Sequence, residues 1–326
     1  MSVRAHEQPP LDLSVIMPVH NQRAHTLARV DAIAAALHGR RFELIVVDDG
    51  SIDGTFAALA AHVAGAPWLA VVALRRSFGV SAALAAGFDR ARGAVIVTID
   101  GAGQTVPGDI PRLLAAVEAG ADVVSGRRDI PRALPTKIGN WLISRVTRVT
   151  LHDYGCPLKA YRAEVIERMQ LYGDLYRLAP AIAYRHGAQV TEVQVREQQV
   201  PTIGPGVGLR RVLSILLDLV TARFLLGYLG RPMQLFGRFG LVAAASGLLI
   251  GLVLTLLKYG TGIDIGQRSS LWLAMLLLFI GAQSLALGLL AELLTRIYYE
   301  AGRRQIYAVR DELNANVPDV VLSGDA

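Results

Sequence analysis

The stretch FELIVVDDGSIDGT, Phe42 to Thr55, decides how this chain reads. Phe42 to Asp48 is a run of large and β-branched residues, and turn formers follow at once in Asp49, Gly50, Ser51, Asp53 and Gly54. A short apolar run without polar alternation is the pattern of a strand buried on both faces, and strands of that kind belong to parallel sheets covered by helices. Outward from it the same pattern recurs. Strands are expected at Leu13 to Val19, Leu69 to Leu74, Ala94 to Ile99 and Asp122 to Ser125, with a further one at Ala188 to Val195. Ala- and Leu-rich helices are expected between them at Ala24 to Leu37, Thr55 to Val63, Val80 to Ala91 and Pro107 to Ala119, the last opening on a proline. This is a βαβ series, an α/β fold whose ligands sit at the carboxyl ends of the strands.

Composition adds a second part. The chain has 326 residues, of which 52% are hydrophobic and 18% charged, too oily for an ordinary soluble domain and far from a disordered one. The excess is concentrated in two uncharged runs, Phe239 to Leu257 and Ser269 to Ala291. At about 1.5 Å per residue each covers roughly 30 Å, the thickness of a bilayer's hydrocarbon core. Joined by the loop from Lys258 to Arg268, they are expected to form a transmembrane hairpin, and Arg210 to Leu229 an interfacial helix before it. Arginines crowd the domain side (Arg231, Arg238, Arg296, Arg303), so the positive-inside rule puts both termini in the cytoplasm. The expected organisation is a leader at 1–11, an α/β domain at 12–208, juxtamembrane helices at 209–234, the hairpin at 235–298 and a cytosolic tail at 299–326.

The net charge is +6, and among 33 basic residues the only lysines are Lys137, Lys159 and Lys258. Arginine forks suit phosphates and anionic headgroups. They form no dense stripe interleaved with aromatics, so nucleic acid is not the expected partner. One cysteine, Cys156, excludes a disulfide framework and any Cys-rich metal site; without a base near it in sequence it reads as a small buried residue.

The chemistry is expected at the strand ends. VDDGS at Val47 to Ser51 places carboxylates beside a helix start, where they serve either a nucleoside's hydroxyl and amide groups or an ordinary Asx-turn. PVHN at Pro18 to Asn21 and TIDGAGQ at Thr98 to Gln104 are polar ends of two further strands, and three such ends in one sheet make one cleft. Lys159 reads either as a phosphate contact or as a surface lysine beside Asp153, and Arg177 either as a phosphate contact or as part of a solvated helix face.

Taken together, LSVIMPVHNQ (Leu13 to Gln22), ELIVVDDGSIDGT (Glu43 to Thr55), RRSFGVSAALAAGFDRARGAVIVTIDGAGQ (Arg75 to Gln104) and VVSGRR (Val123 to Arg128) resemble the GT-A catalytic domain of glycosyltransferase family 2. DYGCPLKAYR (Asp153 to Arg162) and the tail from Arg231 to Leu313 resemble its polyprenyl-phosphate branch. The resemblance implies transfer, with inversion, of a sugar from a nucleotide-sugar donor to undecaprenyl phosphate at the inner leaflet of the bacterial plasma membrane. It implies nucleotide contacts from Pro18, Gln22, Asp49 and Ser77, catalytic roles for Asp100 and Arg127, a Mg2+ or Mn2+ ion on Asp100 and Gln104, and phosphate contacts from Lys159 and Arg177. By the same analogy the protein is a homotetramer.

The departures fall where the chemistry is expected. The family's Asp-x-Asp-x-Gln has become Asp100, Gly101, Ala102, Gly103, Gln104, so the second carboxylate is missing. VPTIGPGV, Val200 to Val207, stands where the family has an arginine-rich loop and carries no charge. Two readings follow. Either the transferase is active, with Asp100, Gln104, donor phosphates and water holding the metal or with Asp109 or Asp129 substituting, or the chain is a degenerate relative that keeps fold and anchor for a regulatory or partner-binding role.

Overall fold

A computed structural model describes residues 11–128, 144, 149, 151–167, 179–185, 187–198, 232–261, 269–300 and 306–314. The interfacial helix expected at Arg210 to Leu229, the Val200 to Val207 loop, Asp129 and Arg177 lie outside the described residues.

The described residues form two units, one carrying the sheet and the other a pair of long helices. In the first, β1 (Leu13–Val19), β2 (Phe42–Asp48), β3 (Leu69–Leu74) and β4 (Val95–Thr98) are parallel, joined by α1 (Arg23–Ala36), α2 (Thr55–Val63) and α3 (Val80–Phe88). After α4 (Ile110–Glu118) come β5 (Val123–Arg128), β6 (Lys159–Arg162), α5 (Ala163–Glu167), α6 (Ala179–Arg185) and β7 (Val190–Val195). A last strand, β8 (Val309–Leu313), gives the sheet the order β7-β5-β6-β4-β1-β2-β3-β8. β6 runs against β4 and β5, and β8 against β3. The fold is the expected α/β architecture. Every residue of β2 and β3 is buried, as their unalternated apolar runs required.

Two differences have physical causes. The helix expected from Pro107 begins as a single 3-10 turn, Pro107–Asp109, and becomes α-helical at Ile110. Pro111 explains this, because it has no N–H to give to the carbonyl one α-turn back and its ring crowds that carbonyl. The second difference is β8. The tail beyond 299 reads as an appendage, yet VRDEL adds a strand to the β3 edge of the sheet. An apolar strand such as β3 cannot leave one side of its backbone unpaired without becoming a site of aggregation, and β8 covers it. Side chains fix the cover. Arg90 forks onto the two Glu312 oxygens at 2.9 and 3.0 Å, and the Tyr307 hydroxyl donates to Asp89 at 2.8 Å.

In the second unit, α7 (Pro232–Thr261) and α8 (Ser269–Glu300) pack along their small residues. A Cβ at Gly240 would lie 2.8 Å from the Gly281 carbonyl, so the close crossing depends on glycine there. Within them, Phe236–Tyr259 and Ser269–Leu294 are long and apolar enough to cross a membrane. Their outer faces present bare Leu252, Leu256, Leu276 and Phe279.

Candidate active site

A cavity of about 250 Å³ opens at the carboxyl ends of β1 and β4. Pro18, Gln22, Asp100, Gln104 and Lys159, five of the residues expected in the site, line it together, with Ala102 and Cys156. β1 ends beside β4, and β6 returns antiparallel so that Lys159 stands opposite Thr98, two residues before Asp100. Lys159 is 2% exposed, not a surface lysine, and its ammonium donates to the Tyr154 carbonyl at 3.1 Å.

Gln22 precedes the first turn of α1 but does not cap it with its side chain. Its backbone holds the turn, accepting from the Thr26 hydroxyl at 2.8 Å and donating to Thr55 at 3.2 Å. Its side-chain oxygen is buried and accepts no hydrogen bond, an acceptor held at the cavity wall for a donor from a ligand. Gly101 makes this approach possible, since a Cβ there would lie 2.5 Å from that oxygen and 2.8 Å from the Pro18 carbonyl.

Asp100 is committed on both oxygens. One accepts from the Thr105 hydroxyl at 2.8 Å and from Arg29 at 3.5 Å, the other from the Gln104 amide at 2.7 Å. Arg29 also donates to the Asp100 and Thr105 carbonyls. Burial pulls the Arg29 pKa down and Asp100 pushes it back up. Sequence reasoning missed Arg29, a mid-helix arginine whose partner is 71 residues away.

The VVSGRR motif delivers Arg128 rather than Arg127 to this region. Arg127 is exposed, whereas Arg128 turns inward, donating to both Asp153 oxygens at 2.9 and 3.3 Å and to the Gln104 side-chain oxygen at 3.1 Å, with Glu197 at 3.7 Å. Strand parity carries the signal. Gly126, on the same side, is where β5 presses on the next segment, for a Cβ there would meet Cys156 at 2.8 Å. Asp49 and Ser77 do come together, but on each other and outside the cavity lining. Asp49 accepts from the Ser77 hydroxyl at 2.8 Å, the Phe78 amide at 2.7 Å and the Gly79 amide at 2.9 Å. Cys156 is inert as a nucleophile. Burial, with Asp153 adding to it, pushes its thiol up to about 12.

The residues described do not supply the donor set for the divalent cation expected here. Position 102 is alanine, Asp100 is satisfied by three protein donors, and the Gln104 oxygen already accepts from a guanidinium whose charge opposes a dication beside it. Asp109 does not substitute. It is 1% exposed and paired with Arg196 at 3.0 Å. Among the described residues no group of three His, Cys, Asp or Glu is placed to hold a metal.

A mixed sheet with its cavity at the carboxyl ends of β1 and β4 is the architecture that the GT-A resemblance implies. Residues 14–168 match the model of "Glycosyl transferase family 2". The chain is 38% identical over 317 residues to the dodecaprenyl-phosphate galacturonate synthase of Rhizobium johnstonii, covering 92% of each chain. It is 34% identical to the undecaprenyl-phosphate 4-deoxy-4-formamido-L-arabinose transferase of Klebsiella pneumoniae, covering 93% of this chain and 94% of that one. Among solved structures, mannosyl-3-phosphoglycerate synthase from Rubrobacter xylanophilus superposes with a TM-score of 0.53 at 17% identity, over 66% of this chain and 74% of its own, a likeness of fold alone. The chain belongs to glycosyltransferase family 2, among its polyprenyl-phosphate sugar transferases.

Proposed function

We propose that this protein is a membrane-bound inverting glycosyltransferase that moves a sugar from a nucleotide-sugar donor to a polyprenyl phosphate, with undecaprenyl phosphate as the acceptor, at the inner leaflet of the bacterial plasma membrane. The observation that carries the reading is one cavity holding an unpartnered acceptor, Gln22, and a buried cation, Lys159, in a chain matched nearly end to end by transferases of this kind. The relatives named above lend nothing to the degenerate, partner-binding reading.

The chemistry asks little of the protein as a base. A phosphate monoester with a second pKa near 6 is already mostly dianionic at neutral pH, so the acceptor is its own nucleophile. What remains is to hold the donor, stabilise the charge released on its diphosphate and align the two. Gln22 and Pro18 are assigned to the nucleoside, and Lys159 to the phosphates. Asp100, fixed by Arg29, and Gln104, fixed by Arg128, shape the floor beneath the anomeric carbon. Asp49 and Ser77 act through the loop they tie down, and Arg127 and Arg177 are kept as phosphate contacts on the family resemblance alone.

Membrane attachment serves the acceptor, whose lipid never leaves the bilayer. That β8, which follows α8 in the chain, joins the sheet supports a two-span hairpin with the domain and both termini in the cytoplasm. Assembly into a homo-oligomer is part of the same proposal. The test is the full chain in lipid nanodiscs with undecaprenyl phosphate and a panel of nucleotide sugars that includes uronic acids, read by mass spectrometry of the lipid fraction. One donor class is expected to give a lipid-linked sugar. If no donor does, while the Rhizobium relative turns over in the same nanodiscs, the proposal is wrong.

A further inference from the structure

Arg29 lies in the buried stripe of α1 with Thr26, Val30 and Ile33, the face that helical periodicity reserves for apolar side chains. A guanidinium there is costly unless its charge and its N–H groups are met. The turn that follows β4 meets them. Nε donates to the Asp100 carbonyl at 3.1 Å, and one terminal nitrogen donates to the Thr105 carbonyl, with the Asp100 carboxylate and the Thr105 hydroxyl each 3.5 Å from it. Four oxygens from the two ends of one turn thus converge on a single cation, much as a loop wraps a metal ion. The fully buried Thr105 hydroxyl closes the turn on Asp100 at 2.8 Å, and between these ends Gly101, Ala102 and Gln104 line the cavity. The charge of the turn is already balanced, one guanidinium against one carboxylate, and Ala102 adds none. A dication approaching Asp100 would find no net negative charge in the turn to draw it and would meet the repulsion of Arg29.

We propose that Arg29 is a positioning residue, the resident cation of the Asp100 to Thr105 turn, and that it holds the cavity floor in place so that a nucleotide binds without a divalent metal. This rests on the reading that the cavity takes a nucleotide donor. Arg29 is outside the cavity lining and acts through Asp100 and Thr105. Ala102 completes the arrangement, because a second carboxylate there would leave the turn with an uncancelled negative charge and so invite a dication.

The test is titration calorimetry of the full chain in nanodiscs, with UDP and GDP as probes, in excess EDTA and in manganese. The better-bound nucleotide is expected to bind equally well in both buffers. Arg29→Met empties the turn of its cation and is expected to weaken binding about tenfold in EDTA, with manganese restoring most of the loss as it takes the vacated oxygens. Arg29→Lys keeps the charge and is expected to stay indifferent to manganese. Ala102→Asp is expected to make binding about tenfold tighter when manganese is added. Wild-type binding that appears only with manganese would overturn this inference and leave the transferase reading standing. Arg29→Met weakened alike in both buffers would show a merely structural role, and Arg29→Met as tight as wild type in EDTA would show none; either result overturns it. Absence of binding by either nucleotide in either buffer would overturn both readings. Should Arg29→Met fail to fold, the wild-type comparison and Ala102→Asp decide, the latter overturning the inference if manganese leaves its binding unchanged.

Discussion

Two aspartates flank the end of β1 from either side, Asp49 after β2 and Asp100 after β4, and they have been put to different uses. Asp49 is 5% exposed and accepts three hydrogen bonds from neutral donors, all of them on the loop that leads into α3. It ties one strand end to the next and lies outside the cavity lining. Asp100 also meets three donors, but one is the Arg29 guanidinium and its turn forms the cavity floor. A strand-end carboxylate is therefore not a ligand site by virtue of its place alone. Whether it faces a ligand depends on what the protein has already spent its oxygens on, and the two ends differ in charge. The first is sealed by dipoles, the second by an ion pair.

The sharpest way to break this comparison is to remove the ion from the second end. Arg29→Met leaves a mostly buried Asp100 carboxylate without its cation and is expected to cost about 3–5 kcal/mol of stability in urea denaturation. The Arg29→Met, Asp100→Asn double variant should regain more than half of that loss. A single-variant loss under about 1 kcal/mol would mean that solvent already screens the pair, and the distinction between the two ends would fall.

The first end predicts a smaller effect of another kind. Asp49→Ala strands the Phe78 and Gly79 amides and the Ser77 hydroxyl, and is expected to cost about 2–3 kcal/mol. Because those donors share one loop, the loss should be local. Hydrogen exchange at the amides of Phe78 and Gly79 should speed up well before the β2 and β3 amides respond. Uniform acceleration through the sheet would show that Asp49 serves the core rather than the loop.

The same contrast explains how much of the molecule was legible beforehand. β1, β2 and β3 were read to the residue, because strands buried on both faces carry an unbroken apolar run between turn formers. β8 was not, because an edge strand needs only its backbone and VRDEL has the composition of a solvated tail. Of the residues lining the cavity, Pro18, Asp100 and Gln104 stand in strand-end motifs that topology marks, whereas Gln22 and Lys159 were expected only through the family resemblance. Arg29 was not legible, since nothing local marks an arginine whose partner is 71 residues further along the chain. The inward turn of Arg128 beside the expected Arg127 was not legible, because a shift of one residue in a strand reverses the face. The spent state of Asp49 and Asp100 was beyond sequence altogether, because it depends on where Ser77, Thr105 and Arg29 fold back.

The smallest effect comes from the cavity wall, where Cys156 reports on the floor beside Lys159. Burial raises its thiol from an ordinary value of 9.0 to about 12, Asp153 adding to the shift and Arg128 and Lys159 opposing it. The folded state therefore holds this proton where the unfolded chain releases it. The stability so gained is complete below the unfolded pKa, about 8.5, and is lost as the pH rises toward the folded value. Between about pH 8.5 and 10 the thiol's share of the alkaline loss should be of order 1–2 kcal/mol, and Cys156→Ala should flatten the profile by that amount. Maleimide should also label Cys156 in the native protein no faster at pH 9 than at pH 7, although a free thiol would speed up many-fold. An unflattened profile, or labelling that climbs with pH as a free thiol's does, would mean that the wall around Lys159 is wet. A diphosphate entering there would then meet a screened charge, and the contrast between a sealed first end and a charged, dry second end would lose its second half.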